Sequence, residues 1–489
     1  MPATYLSPGV YVEEVPSGSA PIAGVGTSTA GFIGIMGASS KASVPPALAS
    51  KRIETVTVVG LEGESGNNTF VLPTPSLQPN ETFYLVEAAD SYEFKVGIAT
   101  TKRAVESLTL EAGKVVLTLA TALSTAAPLN GTFKIEITTP AAAPPLIKPD
   151  PAVSGQVKLC TNFAEFKKFF GDFSTDAGQN LLAHGVFGFF RNGGTRCYVL
   201  GIASEAEIDS ALEKFEAIDE IAIVVAPGIT TETALNSING HCERMGDRTA
   251  IFDSPSDANL SSPTLLDDLK PFNSQYAAVY FPWIQVFDPA TQAQHPDGNG
   301  LKHVPPSGHV AGLYARIDTQ RGVHKAPANE TLIGAVGLKY AVSKRVQDGL
   351  NPSGINCIRD LNGNIRVWGA RTLGGDANNE FKYINVRRLF NFIRESLDEG
   401  TQWTVFEPNS PELWAAIRRN VSAFLTQVWR SGALFGNTPA QAFYVKCDEE
   451  NNPLEVREQG QVVIEIGVAV VKPAEFVIFR LSQWSGEPS

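Results

Sequence analysis

RCYVLGIASEAEIDSALEKFEAIDEIAIVVAP, residues 196–227, reads as strand, helix, strand. RCYVLGI (196–202) and EIAIVVAP (220–227) are short apolar runs of strand length, and the polar-apolar stretch between them predicts a helix over 205–217. The alternation continues downstream. A helix is expected over 232–245, a strand at TAIFD (249–253), a helix near 263–270 and a strand at YAAVYFPWIQV (276–286). Upstream, TNFAEFKKFFG (161–171) offers Thr161 or Asn162 as a cap, Phe163, Phe166 and Phe170 on one helical face, and Gly171 as a stop. Apolar strands alternating with helices predict a largely parallel sheet covered on both faces, because crossover helices must lie against the sheet.

Residues 50 to about 150 have a different texture. They lack Trp, Cys and His, and IETVTVVGL (53–61), ETFYLVEA (81–88), SYEFKVGIA (91–99), KVVLTLAT (114–121) and GTFKIEITT (131–139) alternate or are β-branched. A small all-β domain is expected over 49–154, closed by the proline-dense linker PAAAPPLIKPDP (140–151). Strand-like GFIGIMG (31–37) precedes it, so it reads as inserted into an α/β (mixed α+β) core formed by 23–48 and 155–489. The last third holds two amphipathic helices. Val386, Leu389, Phe390, Ile393 and Leu397 recur at helical spacing in one; Leu413, Trp414, Ile417, Val421, Phe424, Leu425 and Val428 do so in the other. In QVVIEIGVAVV (461–471), Val462, Ile464, Ile466, Val468 and Val470 share a face, and EFVIFRLSQW (475–484) follows after Lys472-Pro473, predicting a terminal hairpin over 461–484.

The 489 residues carry 39 basic and 51 acidic side chains, a net charge of −12 that disfavours nucleic acid as a partner. Apolar runs stay far below the roughly 18 residues of a membrane span, so no membrane insertion is expected. With Lys41 as the first basic residue and Glu13 and Glu14 where a leader would be apolar, no secretory leader is expected and residence begins in the cytoplasm. Five scattered cysteines without CxxC spacing predict reduced thiols.

Chemistry-bearing constellations are thin. GVGTST has Thr29 where a dinucleotide fingerprint needs glycine, so its glycines read as a tether and a close-packed strand; GTSTA (26–30) departs from a nucleophile elbow at Ala30. His295, His303 and His309 crowd HPDGNGLKHVPPSGH near Asp288 and Asp297, but at no metal-ligand spacing, and read as surface-loop histidines. Arg387, Arg388 and Arg394 are expected on the polar side of their helix, and Asp448, Glu449 and Glu450 in a solvated turn. No catalytic set, cofactor or metal is assigned; a doubly wound enzyme using a crevice near Asp253 or Pro227 is the alternative from another class.

At the front of the chain YLSPGVYVEEV (5–15) reads as a strand with no local partner, because PSGSAPIAGVGTST (16–29) suits a tether better than a hairpin. This start, YLSPGVYVEEVPSGSAPIAGVGTSTAGFIG (5–34), resembles that of the contractile tail sheath family of phage tails and phage-tail-like injection systems. PPSGHVAGLYARIDTQRGVHKAPAN (305–329), LNPSGINCIRD (350–360), IRVWGARTL (365–373), VRRLFNFIRESL (386–397), FEPNSPELW (406–414), FLTQVWRSGALFGNTPAQAFYVKCD (424–448) and KPAEFVIFRLSQW (472–484) resemble it in order. The β-rich segment falls where such proteins carry a variable insertion.

The resemblance implies a structural subunit, assembled in the bacterial cytoplasm as stacked rings or a helix around an inner tube. It implies contraction of a high-energy extended lattice, and baseplate and terminal cap proteins as further partners. An N-terminal arm (1–22) would donate Tyr5, Val10, Tyr11, Val12 and Val15 as a strand to another copy. Val462, Ile464, Ile466, Val468, Phe476, Ile478, Phe479 and Leu481 would receive it by β-augmentation. Arg418, Arg419, Asp448, Glu449 and Glu450 are candidates for gripping the tube. The front of the chain favours a bacterial injection system over a phage tail; a non-contractile tube or baseplate part is a further reading.

Overall fold

The computed structural model describes residues 21–36 and 150–480, apart from 151–152, 261, 263 and 296–297, together with the strands between 50 and 139. The chain divides into two compact units, Met1–Ala42 with Leu146–Ser489, and Ser43–Pro145.

The larger unit is built on a nine-stranded sheet. Its order is Val157–Cys160, Cys197–Ile202, Ala30–Ile35, Ile223–Val225, Thr249–Asp253, Ala277–Phe281, Ile355–Leu361, Asn364–Val367 and Glu330–Thr331. The six strands from Cys197–Ile202 through Ile355–Leu361 run parallel, and the flanking pairings are antiparallel. Alternate side chains divide between two cores. Phe32, Val199, Ile223, Val225, Ile251, Ala278, Tyr280 and Ile358 face one, with Phe166 and Phe170 of helix Phe163–Phe170 and Leu182, Val186 and Phe189 of helix Ala177–Asn192. Ile33, Leu200, Val224, Ala250, Phe252, Val279, Phe281 and Cys357 face the other, under helices Ile208–Glu216 and Glu232–Met245. This is the doubly covered sheet that uninterrupted apolar strands require.

Three local readings are corrected. The run 276–286 is two strands, Ala277–Phe281 and Ile284–Phe287, because Pro282 has no N–H to continue a ladder and Ile284–Phe287 pairs instead with Leu301–Val304. The helix expected near 263–270 is only Leu265–Leu269. HPDGNGLKHVPPSGH is no simple loop: His303 lies on strand Leu301–Val304, and His309 is buried in helix Ser307–Arg321. Asn162 is the cap at the 161–171 helix, its side chain accepting from Glu165 N at 2.9 Å.

Helices Ile384–Thr401 and Pro411–Arg430 form a third core with a two-stranded sheet, Phe443–Lys446 against Glu465–Val468. Leu389, Ile393, Leu413, Ile417, Val421, Phe424, Leu425 and Val428 fill it, and Val462, Ile464, Ile466, Val468 and Val470 pack on it from the strand side.

The smaller unit is antiparallel. Ser50–Gly63 pairs with Ala127–Thr139 over most of its length, Thr82–Leu85 and Glu93–Val96 also pair with Ala127–Thr139, and Thr69–Leu72, Lys114–Leu119 and Val105–Glu111 form a second sheet. Phe70, Leu72, Val115, Leu117 and Leu119 are buried.

Candidate interface between subunits

The C-terminal sheet is held by a side chain that imitates a strand. Asn452, fully buried, accepts from Val463 N at 2.7 Å and donates to Val463 O at 2.9 Å, so its amide replaces a peptide neighbour just before strand Glu465–Val468 begins. The expected hairpin is not formed among the described residues: Glu465–Val468 pairs with Phe443–Lys446, and residues 472–480 form no strand. The reason lies at Glu475. Its carboxylate accepts from Arg371 Nε (2.7 Å) and Nη2 (2.8 Å), Asn351 Nδ2 (2.8 Å) and Tyr383 Oη (2.8 Å), which draws the chain away from the sheet edge. Arg371 is 3% exposed and also donates to Asn351 O and Asp376. Burial alone would raise the Glu475 carboxyl, but the bonds from Arg371, Asn351 and Tyr383 hold it below the usual glutamate value.

Beyond this clamp the side chains stand in solvent. Phe476 is 69% exposed, Val477 70%, Ile478 78% and Phe479 85%. Four consecutive large apolar residues at such exposure are unusual for a finished surface. Of the residues expected to make strands between copies, Val462, Ile464, Ile466 and Val468 lie together against the helical core, whereas Phe476, Ile478 and Phe479 are exposed; Tyr5, Val10, Tyr11, Val12, Val15 and Leu481 lie outside the described residues.

The end of the tether is fastened. Ile22 is buried in the C-terminal core, Val25 N donates to Ser396 Oγ at 3.1 Å, and Thr27 Oγ1 donates to Asp318 at 2.7 Å. Arg388 completes this joint, donating to Asp318 Oδ1 at 2.9 Å and to Thr27 O at 2.9 Å, with both charged side chains under 5% exposed. Arg387 and Arg388 are therefore buried, against expectation, and only Arg394 of the three is exposed; Arg387 is sandwiched by the rings of Tyr276 and Phe381.

Among the tube-contact candidates, Arg418 is engaged within the chain by Cys447 O, and Glu450 pairs with Lys446 at 2.7 Å. Asp448 accepts from Glu450 N at 3.0 Å, while Arg419 and Glu449 are exposed.

The crevice residue Asp253 has a structural task. It is buried, and accepts from Ser307 N (2.8 Å), Ser307 Oγ (2.6 Å) and Gly228 N (3.0 Å), closing the start of helix Ser307–Arg321. Burial raises its carboxyl to about 6 despite these bonds. His309 is also wholly enclosed, and burial, with His184 and Arg191 nearby, lowers it to about 3. Asp288 receives His184 Nε2 at 3.1 Å and caps helix Pro289–Gln294. Among the described residues no group of three or more His, Cys, Asp or Glu side chains could hold a metal ion, and no helix is long and apolar enough to cross a membrane.

A largely parallel sheet, a tether fastened at residues 22–27, a segment clamped at Glu475 and an exposed apolar run at 476–479 are the features this chain presents. Residues 201–373 match the phage tail sheath protein central domain, and 376–483 the phage tail sheath C-terminal domain. The chain belongs to the phage tail sheath family. It is 26% identical over 276 residues to a prophage major tail sheath protein of Pseudomonas aeruginosa, a match spanning 54% of this chain and 66% of that protein. A chain of the anti-feeding prophage baseplate in its contracted state is 33% identical, with a TM-score of 0.56, covering 67% of this chain and 88% of that one. A chain of the PVC sheath complex, an extracellular contractile injection system in its contracted state, is 27% identical with a TM-score of 0.58, covering 68% and 88%.

Sequence reading missed the Arg371–Glu475 and Arg388–Asp318 pairs. The partners lie 104 and 70 residues apart, so neither pair leaves a periodic signal.

Proposed function

We propose that this chain is the structural subunit of a contractile sheath of a bacterial phage-tail-like injection system, with no catalytic role. Copies would assemble around an inner tube between a baseplate and a terminal cap. The β-rich unit is an insertion between two strands of the sheath core. Strand exchange joins the copies: the N-terminal arm and the residues after Glu475, the latter giving a strand where the family resemblance implies that they receive one, complete sheets in neighbours. The observation that carries this reading is the exposed run Phe476–Phe479, four apolar side chains on a segment without a strand partner among the described residues.

The energetics favour such exchange. A net hydrogen bond adds only about 0.5–1.5 kcal/mol, but burying a large apolar side chain adds about 1.5–3 kcal/mol, so one short donated strand holds two copies firmly. Heterologous contacts of this kind do not close into a dimer and instead propagate into stacked rings or helices. Contraction then needs no bound nucleotide. Work comes from the free-energy difference between an extended and a contracted packing of the same folded subunit, while the exchanged strands keep neighbours connected.

A contractile phage tail sheath is the second reading, favoured by the Pseudomonas aeruginosa prophage relative. The reading is tested by negative-stain microscopy of the full chain and of a variant lacking residues 1–15. Hollow cylinders from the first and a folded, non-assembling core from the second are expected. Small closed oligomers from the full chain, or contractile cylinders from the deletion, would contradict it.

A further inference from the structure

A strand lent to a neighbour transmits force only if its root is fixed on the lender. Otherwise tension peels the segment from its own subunit before it moves the neighbour. The root here is Glu475. Its carboxylate accepts four hydrogen bonds from Arg371, Asn351 and Tyr383, two of them side by side from one guanidinium. Arg371 is itself tied to the sheet. Its N–H donates to Asn356 Oδ1 at 2.8 Å, and Asn356 Nδ2 donates to Arg371 O at 2.8 Å and to Val279 O at 3.2 Å, inside the parallel sheet. Arg371 and Tyr383 also face each other across a β-bridge. A continuous chain of polar contacts thus runs from Glu475 through Arg371 and Asn356 to strands Ala277–Phe281 and Ile355–Leu361. The next residue after Glu475 is the first of the exposed run.

We infer that the Glu475 clamp anchors the C-terminal segment to its own sheet, so that only residues beyond it pass to a second copy and tension between copies is delivered to the α/β core through Arg371. The inference rests on the strand-exchange reading above. Arg371, Asn351 and Tyr383 are positioning residues: they set where the arm leaves the subunit and in what register it reaches its neighbour.

The test uses the full chain with Glu475→Gln, which keeps the side chain's size and removes its charge. Amide exchange at residue 475, whose N–H donates to Pro473 O at 3.1 Å, is expected to rise about ten-fold while exchange at 355–358 stays as in the parent, as for a local opening. Cylinders should form but break between neighbours on triggered contraction about ten-fold more often. Unchanged exchange at residue 475, or intact contraction at the parent's frequency, overturns the inference. If Glu475→Gln fails to fold, the pair Tyr383→Phe and Asn351→Ala, which keeps the ion pair, is expected to move both readouts in the same direction by a smaller factor; no movement overturns it. A deletion of 476–489 separates the two ideas. Cylinders from that deletion sink strand exchange by the C-terminal segment itself, whereas loss of assembly there, with Glu475→Gln contracting intact, sinks only the clamp.

Discussion

Buried charges carry the joints of this molecule, and each sits where two distant segments meet. Arg388 and Asp318 fasten the end of the tether, and Arg371 and Glu475 fasten the C-terminal segment. Such pairs contribute little net stability by themselves, but removing one partner strands a charge and costs about 3–5 kcal/mol, which is why they act as latches. Glu395 is the opposite case. Burial, followed by the nearby carboxylates Asp247, Asp398, Glu399 and Asp219, raises it to about 7. A carboxyl whose folded pKa lies above its unfolded value keeps its proton longer in the folded state, so its effect on stability is lost progressively as pH rises from about 4.3 to about 7. Glu395→Gln removes that loss. The melting temperature of the variant minus that of the parent is expected to be small near pH 4, to grow through pH 7 and then to level off; a difference flat in pH refutes the assignment. None of these residues was legible as a site, since a lone Arg or Glu on a helix face carries no signal of the charge it meets from another element. Arg388 was misplaced on the polar face for that reason, and Arg387 because the Tyr276 and Phe381 rings that enclose it both lie outside its helix.

At the level of elements, strands and amphipathic helices were readable and the fully enclosed helices were not. TAIFD and the 232–245 helix fall where their patterns put them, because one or two apolar faces against polar neighbours give a period. Helices Ala177–Asn192 and Ser307–Arg321 are buried nearly all round and meet through glycines, so composition replaces period. A Cβ on Gly308 would clash with the backbone of Gly185, and one on Gly312 with the backbone of Phe189. Gly308→Ala is therefore expected to destabilise the larger unit by about 1–3 kcal/mol, as overpacking does; urea unfolding with an unchanged slope checks it, and a parental midpoint counts against such close packing. The terminal hairpin was misread because the shared apolar face of Val462–Val470 and the apolar run Phe476–Phe479 both have strand character, and neither can say whose strand lies alongside.

For the whole molecule, an ordered series of motifs disclosed the family and a change of texture after residue 49 marked the β-rich unit, while the latches between segments became visible only in three dimensions. The subunit is a rigid doubly covered sheet whose C-terminal segment leaves a fixed point with its apolar residues uncovered. In the proposed assembly, copies finish one another there. The most direct measurement is a reconstruction by electron cryo-microscopy of the assembled full-length chain. Residues 476–480 should form a strand hydrogen-bonded to the Phe443–Lys446 and Glu465–Val468 sheet of another copy, with Glu475 still held by Arg371 of its own. A C-terminal segment folded back onto its own subunit, in a particle with no continuous lattice, would contradict the account.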